Sequence, residues 1–487
     1  MIILYNPRSA ESKQRLPISV LSLAAVFEGK YPWHLVDGNL DKDASNSIMK
    51  MLENDPSIRY LLVTVMPGPQ LTRAIPHTRE IKARFPNVTV VWGGYFPTSH
   101  TDVVMADPAI DYVVRNQGEL TILELLEALE TGGSVENIQG LSWRKDGEVV
   151  NNHERGLVDL NRFPRLPYEK VDVHKYIGRT MLGSRTISYH SSQGCPFTCS
   201  FCAVTKTYWG RWLTEDPKRT IETIKWLQQR YGINGIEFHD SNFFTYEKRV
   251  AAFAEGIMGM GIGWWGEGTI DTIMRYSDRT WDLMRDSGCR MIFMGAESGS
   301  ATTLKAMNKG PLTPETTLEI TRKTKEWGII PEFSFVLGNP PDPEADIVEN
   351  IAFIRQIKEI NPESEIILYM YTPTPGGSMY EQAAALGFRY PTTLDEWIGP
   401  EWASFSRRRN PHTPWIKREH MEMLNNFETV LSARYPTVTD LKIMPWHRQA
   451  LQALGSWRYR FGVYHHPIEL RAMFKYISYR RPELEGL

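Results

Sequence analysis

The chain has 487 residues, 42% hydrophobic and 23% charged, with 55 Lys and Arg against 57 Asp and Glu for a net charge of −2. That length exceeds a single core and implies roughly two to four domains, and the near-even balance gives no global field for nucleic acid or an anionic membrane. No apolar run reaches about 18 residues, so no transmembrane segment is expected, and the opening Met1-Ile2-Ile3-Leu4 lacks the basic region and cleavage site of a signal peptide, which points to a cytoplasmic protein.

Residues 1–135 alternate short apolar runs with amphipathic stretches. Strands are predicted at 2–5, 33–37, 60–65, 88–92 and 111–115, and helices at 17–27, 44–52, 70–84 and 121–129. Such alternation builds βαβ units and a doubly wound parallel sheet, a Rossmann-like α/β fold. Ligands of these sheets sit beyond the carboxyl ends of the strands. Met66, Gly68 and Gln70 follow the third strand there, and Gly93, Gly94 and Thr98 the fourth. Paired glycines let the backbone approach a bulky ligand.

Residues 136–182 read as a linker. Asp146-Gly147 marks a hairpin turn between 140–144 and 148–151, and the Pro-punctuated stretch 162–167 is expected to be extended.

The next stretch carries the chemistry. Cys195, Cys199 and Cys202 stand in a C-x3-C-x2-C spacing and are three of the four cysteines in the chain. Thiolates are preferred ligands of iron–sulfur clusters and zinc. A structural zinc or a fully ligated cluster takes four protein ligands, so a loop of three leaves one metal position open for substrate. Cysteines clustered this way suit a reducing compartment rather than a disulfide framework.

Over residues 183–385, βα units repeat, with strands predicted at 186–191, 235–239, 263–268, 291–297, 331–337 and 365–371. Polar residues follow the strand ends, where a barrel binds its ligands: Asp240, Glu267, Glu297 with Ser298, and Pro340. Each has a plainer alternative: Asp240 as the cap of a helix starting near Thr245, His239 as a strand-end histidine, Cys289 as a packing residue. From 386 to 487 the pattern turns helical, at 396–405, 415–434, 446–464 and 467–479. Trp446, Trp457, Phe461 and Tyr476 alternate with Arg448, Arg458, Arg460 and Lys475. These helices are expected to cap the barrel mouth; the alternative is a surface for an acidic or amphiphilic molecule. Arg407-Arg408-Arg409 is the one dense basic run, and no RNA-binding module accompanies it.

Gly194-Cys195-Pro196-Phe197-Thr198-Cys199-Ser200-Phe201-Cys202 resembles the cluster loop of radical S-adenosyl-L-methionine (SAM) enzymes. Gly93-Gly94, Pro97-Thr98 and the run Val113-Val114-Arg115-Asn116-Gln117-Gly118-Glu119 resemble the cobalamin-binding domain that precedes the core in one subfamily, the class B methyltransferase-like enzymes. The resemblance implies a [4Fe–4S] cluster on the three cysteines, SAM on its open iron and Phe201 beside the adenine. It implies Asp240, Glu267, Glu297, Ser298 and Pro340 around SAM, and Met66, Gly68, Gln70, Gly93, Gly94, Thr98 and Glu119 around cobalamin. It further implies a partial (β/α)6 barrel at 183–385 and a helical subdomain at 386–487. The D-x-H-x-x-G motif that supplies an axial histidine elsewhere is absent, so the cobalt is expected to lack one. The implied activity is methylation of an unactivated carbon through a 5′-deoxyadenosyl radical and methylcobalamin. A cobalamin-dependent oxidative cyclase of the bacteriochlorophyll type is the nearest alternative, and a non-catalytic cobalamin or iron–sulfur binding protein the remote one. A methylthiotransferase would require three further cysteines before Cys195, and none occurs there. Expected partners are a small lipid, tetrapyrrole or natural-product substrate and a flavodoxin or ferredoxin as electron donor, without nucleic acid.

Overall fold

The computed structural model describes residues 1–9, 15–375, 378–402 and 412–479. The first half is built from β1 (Ile2–Asn6), α1 (Ile18–Phe27), β2 (Trp33–Asp37), α2 (Ala44–Asn54), β3 (Tyr60–Thr64), α3 (Pro69–Arg84), β4 (Thr89–Gly93), α4 (Tyr95–Ser99), α5 (Thr101–Met105), β5 (Tyr112–Val114), α6 (Glu119–Thr131), β6 (Leu141–Lys145) and β7 (Glu148–Asn151). The sheet runs β2-β1-β3-β4-β5-β6-β7, parallel through β5. β1 is buried on both faces, as a doubly wound sheet requires. Ile2 and Leu4 point to the side that packs with Leu21 and Leu125, Ile3 and Tyr5 to the side of Ile48 and Ile75.

The hairpin β6–β7 is not a linker element. It pairs antiparallel onto β5 through Val113 and Ser142 and extends the sheet to Asn151. Without it the three-residue β5 would leave an open edge, and Asp146 and Gly147 turn it with φ of 52° and 88°.

The second half comprises β8 (Gly178–Thr180), β9 (Gly183–Tyr189), β10 (Ser192–Gly194), α7 (Ala203–Tyr208), β11 (Trp212–Thr214), α8 (Pro217–Tyr231), β12 (Gly235–Phe238), α9 (Glu247–Ile257), β13 (Gly263–Gly268), α10 (Ile270–Met274), α11 (Asp278–Ser287), β14 (Cys289–Glu297), α12 (Ala301–Ala306), α13 (Pro314–Trp327), β15 (Ile330–Leu337), α14 (Pro343–Ile360) and β16 (Glu365–Met370). The sheet order β16-β15-β14-β13-β12-β9-β8 gives six parallel strands with the short β8 antiparallel at one edge, an open half-barrel. β10 and β11 form a separate ribbon.

The remaining helices are α15 (Ser378–Ala385), α16 (Leu394–Ile398), α17 (Arg418–Arg434), α18 (Pro445–Phe461) and α19 (Ile468–Tyr476). α15 and α16 join the core of the first sheet through Ala383, Phe388, Leu394 and Trp397. Arg79 of α3 ties them down, pairing with both Asp107 and Asp395. α17–α19 do not cap the barrel mouth as expected. Phe427 and Tyr459 pack toward α14, Arg355 of α14 donates to the Tyr464 hydroxyl at 2.7 Å, and Thr437 donates to Glu365 at 2.9 Å. Glu365 opens β16, so these helices cover the flank and the amino end of the barrel. Trp415 and Ile416 reach the mouth instead, the indole donating to the Gly338 carbonyl at 3.0 Å. The helix predicted at 396–405 is Leu394–Ile398; residues 403–405 and Arg407-Arg408-Arg409 lie outside the described residues. No described helix is long and apolar enough to cross a membrane.

Candidate active site

The cysteine loop leaves β10 through Gly194 and enters α7, with Cys202 as the residue before the helix. Gly194 has φ 80°, and a Cβ there would lie 2.3 Å from the Arg211 carbonyl oxygen. Far segments fix the loop: Ser200 donates its N–H to the Met307 carbonyl (3.0 Å), and Asn308 Nδ2 donates to the Thr198 carbonyl (2.8 Å). All three cysteines are free and half-buried. Burial pushes the Cys199 thiol up to about 11 and raises Cys202, and the three thiols act electrostatically on one another. Thiolates here therefore call for a cation. Among the described residues no three His, Cys, Asp or Glu side chains converge on one metal-ion position. Three free thiols on one loop suit a cluster that takes one thiolate at each of three corners.

Asp240 follows β12 fully buried, and both carboxylate oxygens are engaged. Ser191 donates its N–H (2.7 Å) and hydroxyl (2.6 Å), and Ser192 its hydroxyl (2.7 Å). It braces the entry to the cysteine loop and caps nothing, since α9 starts only at Glu247. Asn242, two residues on, points its Nδ2 at Cys195 Sγ, 3.6 Å away.

Glu297 ends β14 with φ 61° and folds back over Gly295, where a Cβ would collide with its Oε1. Lys309 donates to that oxygen at 2.7 Å, and the pair is almost sealed from solvent. Although burial opposes the ammonium, Glu297 and the thiols hold its pKa above the ordinary lysine value. Ser298 faces the turn behind, accepting from Ser300 N–H (3.1 Å) and Asn350 Nδ2 (3.4 Å). Pro340 sits in the loop after β15, whose Gly338 N–H donates to Asp346 at 2.8 Å. Phe201 packs with Met307, Tyr371, Met379 and Trp415 at the mouth. Glu267, at the end of β13, is half-buried, and its carboxyl has no hydrogen-bond partner among the described residues. Burial first and the Asp240 charge second push it up to about 8, with Arg15 opposing. Burial takes His239 down to about 4 despite Glu237 at 3.3 Å, so the imidazole is neutral. Cys289 opens β14 at the opposite end of the barrel, buried, as the packing reading has it.

Between the carboxyl ends of β3–β5 and the cysteine loop lies a cavity of about 560 Å³, a cofactor-sized space. Met66, Gln70, Gly93, Gly94, Thr98 and Glu119 line it, facing Gln193, Ala203 and Tyr208. Gly94 has φ 99°, and a Cβ would press on Thr64 and Val65. Gly68 is not on the wall; with φ 83° it turns the chain into α3. Gln70 spends its amide inside the protein, on Asn6 (2.9 Å), the Pro7 carbonyl (3.0 Å) and Met66 N–H (2.9 Å). Burial raises the Glu119 carboxyl, which also contacts Gln193, and Gln117 Nε2 donates to Gln193 Oε1 at 3.2 Å. Burial raises the Tyr95 hydroxyl, and the nearby Cys202 thiol adds to the rise. The two halves thus meet at one space. Sequence reasoning missed Gln193, Tyr208, Arg15 and the pairing of Lys309; only Gln193 had a signal, its place two residues before Cys195.

Residues 189–354 match the Radical SAM superfamily. That stretch is a radical SAM domain, and the fold of the whole chain is shared with solved cobalamin-dependent radical SAM enzymes. It aligns over 98% of both chains (TM-score 0.66, 16% identity) with the radical S-adenosylmethionine methyltransferase TsrM from Kitasatospora setae, solved with cobalamin and a [4Fe–4S] cluster. It is also 28% identical to an uncharacterized methyltransferase of Pyrococcus horikoshii, over 78% of this chain and 82% of that one. With the anaerobic magnesium-protoporphyrin IX monomethyl ester cyclase of Synechocystis it shares 29% identity over 62% of this chain, but spans only 60% of the cyclase.

Proposed function

We propose that this chain methylates an unactivated carbon of a small molecule, with a [4Fe–4S] cluster, SAM and cobalamin as its cofactors. The observation that carries the reading is a cavity with a glycine-lined sheet end on one wall and, on the other, the residues that flank the three-cysteine loop, Gln193 before it and Ala203 after it. When bound, the cluster and SAM supply a 5′-deoxyadenosyl radical for hydrogen abstraction, and cobalamin supplies the methyl group. Cys195, Cys199 and Cys202 would hold the cluster. Glu297, paired with Lys309, would accept hydrogen bonds from SAM, with Phe201 and the Pro340 loop as walls. Glu267 would offer a protonated carboxyl to SAM or substrate, while Asp240 and Ser298 act behind the surface by fixing loops. Gly93 and Gly94 would admit the corrin close to the backbone, with Met66, Thr98 and Glu119 around it and Gly68 and Gln70 shaping their loop. The protein's contribution is to position two cofactors and a substrate and to exclude water.

In the same reading, the sheet to residue 151 carries cobalamin and the half-barrel the radical. A flavodoxin or ferredoxin in the cytoplasm delivers the electron, and no nucleic acid takes part. The cyclase relative favours one second reading, an oxidative ring closure without methyl gain. Anaerobic reconstitution tests the assignment: about four irons and one cobalt per chain are expected, with 5′-deoxyadenosine formed from SAM after reduction. A full cluster that never cleaves SAM would sink the radical chemistry, and loss of all cobalt on gel filtration would sink methyl transfer. Product mass separates methylation from cyclisation.

A further inference from the structure

α18 and α19 leave an apolar face uncovered. On α18, Trp446, Ala450, Ala453, Leu454, Trp457 and Phe461 recur at three- and four-residue spacing and form one stripe, roughly 25 Å long. Trp446 is 52% exposed, Trp457 48% and Phe461 71%. The opposite face packs inward, with Leu451 buried and Gly455 against Ala433 of α17. α19 adds Ile468 and Tyr476, 71% and 76% exposed.

The charge around this stripe is one-sided. α18 has no Asp or Glu. Between 441 and 476, Lys442, Arg448, Arg458, Arg460, Arg471 and Lys475 stand against the single acid Glu469, which is paired with Arg458. The chain as a whole is at −2, so the positive charge is local. Guanidinium groups also lie by the exposed rings, Arg458 at 4.9 Å from the Trp457 ring centre and Arg460 at 5.7 Å from that of Phe461.

We propose that this face docks the protein on the surface of an anionic lipid bilayer. Tryptophan and tyrosine settle at the headgroup level with leucine and phenylalanine below, while lysine and arginine reach the anionic headgroups. The side chains project from the outside of two helices, and a fluid surface accepts such points without matching pockets. A second copy of the chain fits worse, because a two-fold interface turns the same patch of both copies, with its excess of Arg and Lys, toward each other. An electron donor fits worse too. The face belongs to the helices on the flank and amino end of the barrel, whereas the cysteine loop is at the carboxyl ends, about 20–30 Å along the strands. Docking there leaves the mouth free.

The test needs no cofactor and is independent of the methyl-transfer reading. The full chain is sedimented with vesicles of phosphatidylcholine, and of phosphatidylcholine with about a third phosphatidylglycerol. Binding is expected to the anionic vesicles only, with a blue shift of tryptophan emission, and to weaken between about 50 and 500 mM salt. Trp457→Glu with Phe461→Glu is expected to cut binding about tenfold, with circular dichroism and iron loading unchanged. A milder pair, Arg448→Gln with Arg460→Gln, should lower binding while leaving the apolar face intact. Absence of binding to either vesicle overturns the proposal. So does a dimer in solution that Trp457→Glu with Phe461→Glu dissolves, which would make the occupant a second copy.

Discussion

Asn242 shows how much one amide decides. It is fully buried, its Oδ1 has no partner, and its Nδ2 faces Cys195 Sγ. An unpaired buried carbonyl costs about 1–3 kcal/mol, so the donor end sets the orientation, and sulfur accepts strongly only as a thiolate. A donor on cluster sulfur favours the reduced, more negative state. Asn242→Ala is therefore expected to lower the cluster's midpoint potential in a redox titration, with iron content unchanged; an unmoved potential would detach the amide from the cluster. Glu267 makes a prediction with pH. Its carboxyl rises from 4.5 to about 8 on folding, so between those values the folded state holds a proton that the unfolded chain has released. Stability from this site is complete below about 4.5 and declines as pH rises toward about 8. Glu267→Gln should melt like the parent near pH 4.5 and increasingly above it up to pH 8.5. A difference that does not grow with pH would put the carboxyl in contact with water.

At the level of elements, the backbone at Gly194 can be tested against a control. Both Gly194 and Gly310 have positive φ, 80° and 70°, but only Gly194 would drive a Cβ into backbone, and Gly310 has nothing within 4 Å. Gly310→Ala is expected to cost only the left-handed strain of about 1–2 kcal/mol. Gly194→Ala should in addition displace the cysteine loop and reduce iron per chain several-fold, with secondary structure retained by circular dichroism. Equal iron loading in both would mean the loop yields freely. The parallel strands were legible because burial on both faces writes continuous apolar runs, as in 2–5 and 60–63, and the cysteine loop because three ligands must lie close in sequence. The ion pair of Glu297 and Lys309, and the bracing of Ser191 by Asp240, were not, because they join chemistry across turns and strands that no period records. α17–α19 were read as helices correctly and placed wrongly, since periodicity reports that a face is apolar and not what it meets.

For the whole molecule, the segment 378–398 matters most. Trp397 is 2% exposed and packs edge-on against Phe96, 5.0 Å between ring centres, beside His100 and Tyr390. Trp397→Ala is expected to destabilise the first sheet by about 3–5 kcal/mol. Hydrogen exchange should show the loss in α3 and α4 while β12–β15 keep their protection; uniform loss across both sheets would mean the two unfold as one. Residues that close the first sheet's core are thus encoded after the barrel. The two units are consecutive in sequence for most of their length but interleaved in space, and a gene cut near codon 151 severs the amino-terminal unit from part of its own interior. Recombination between relatives at that point would pair each amino-terminal unit with a foreign Trp397 and Phe388. Swapped chimeras should therefore work only when residues 378–398 travel with the amino-terminal unit.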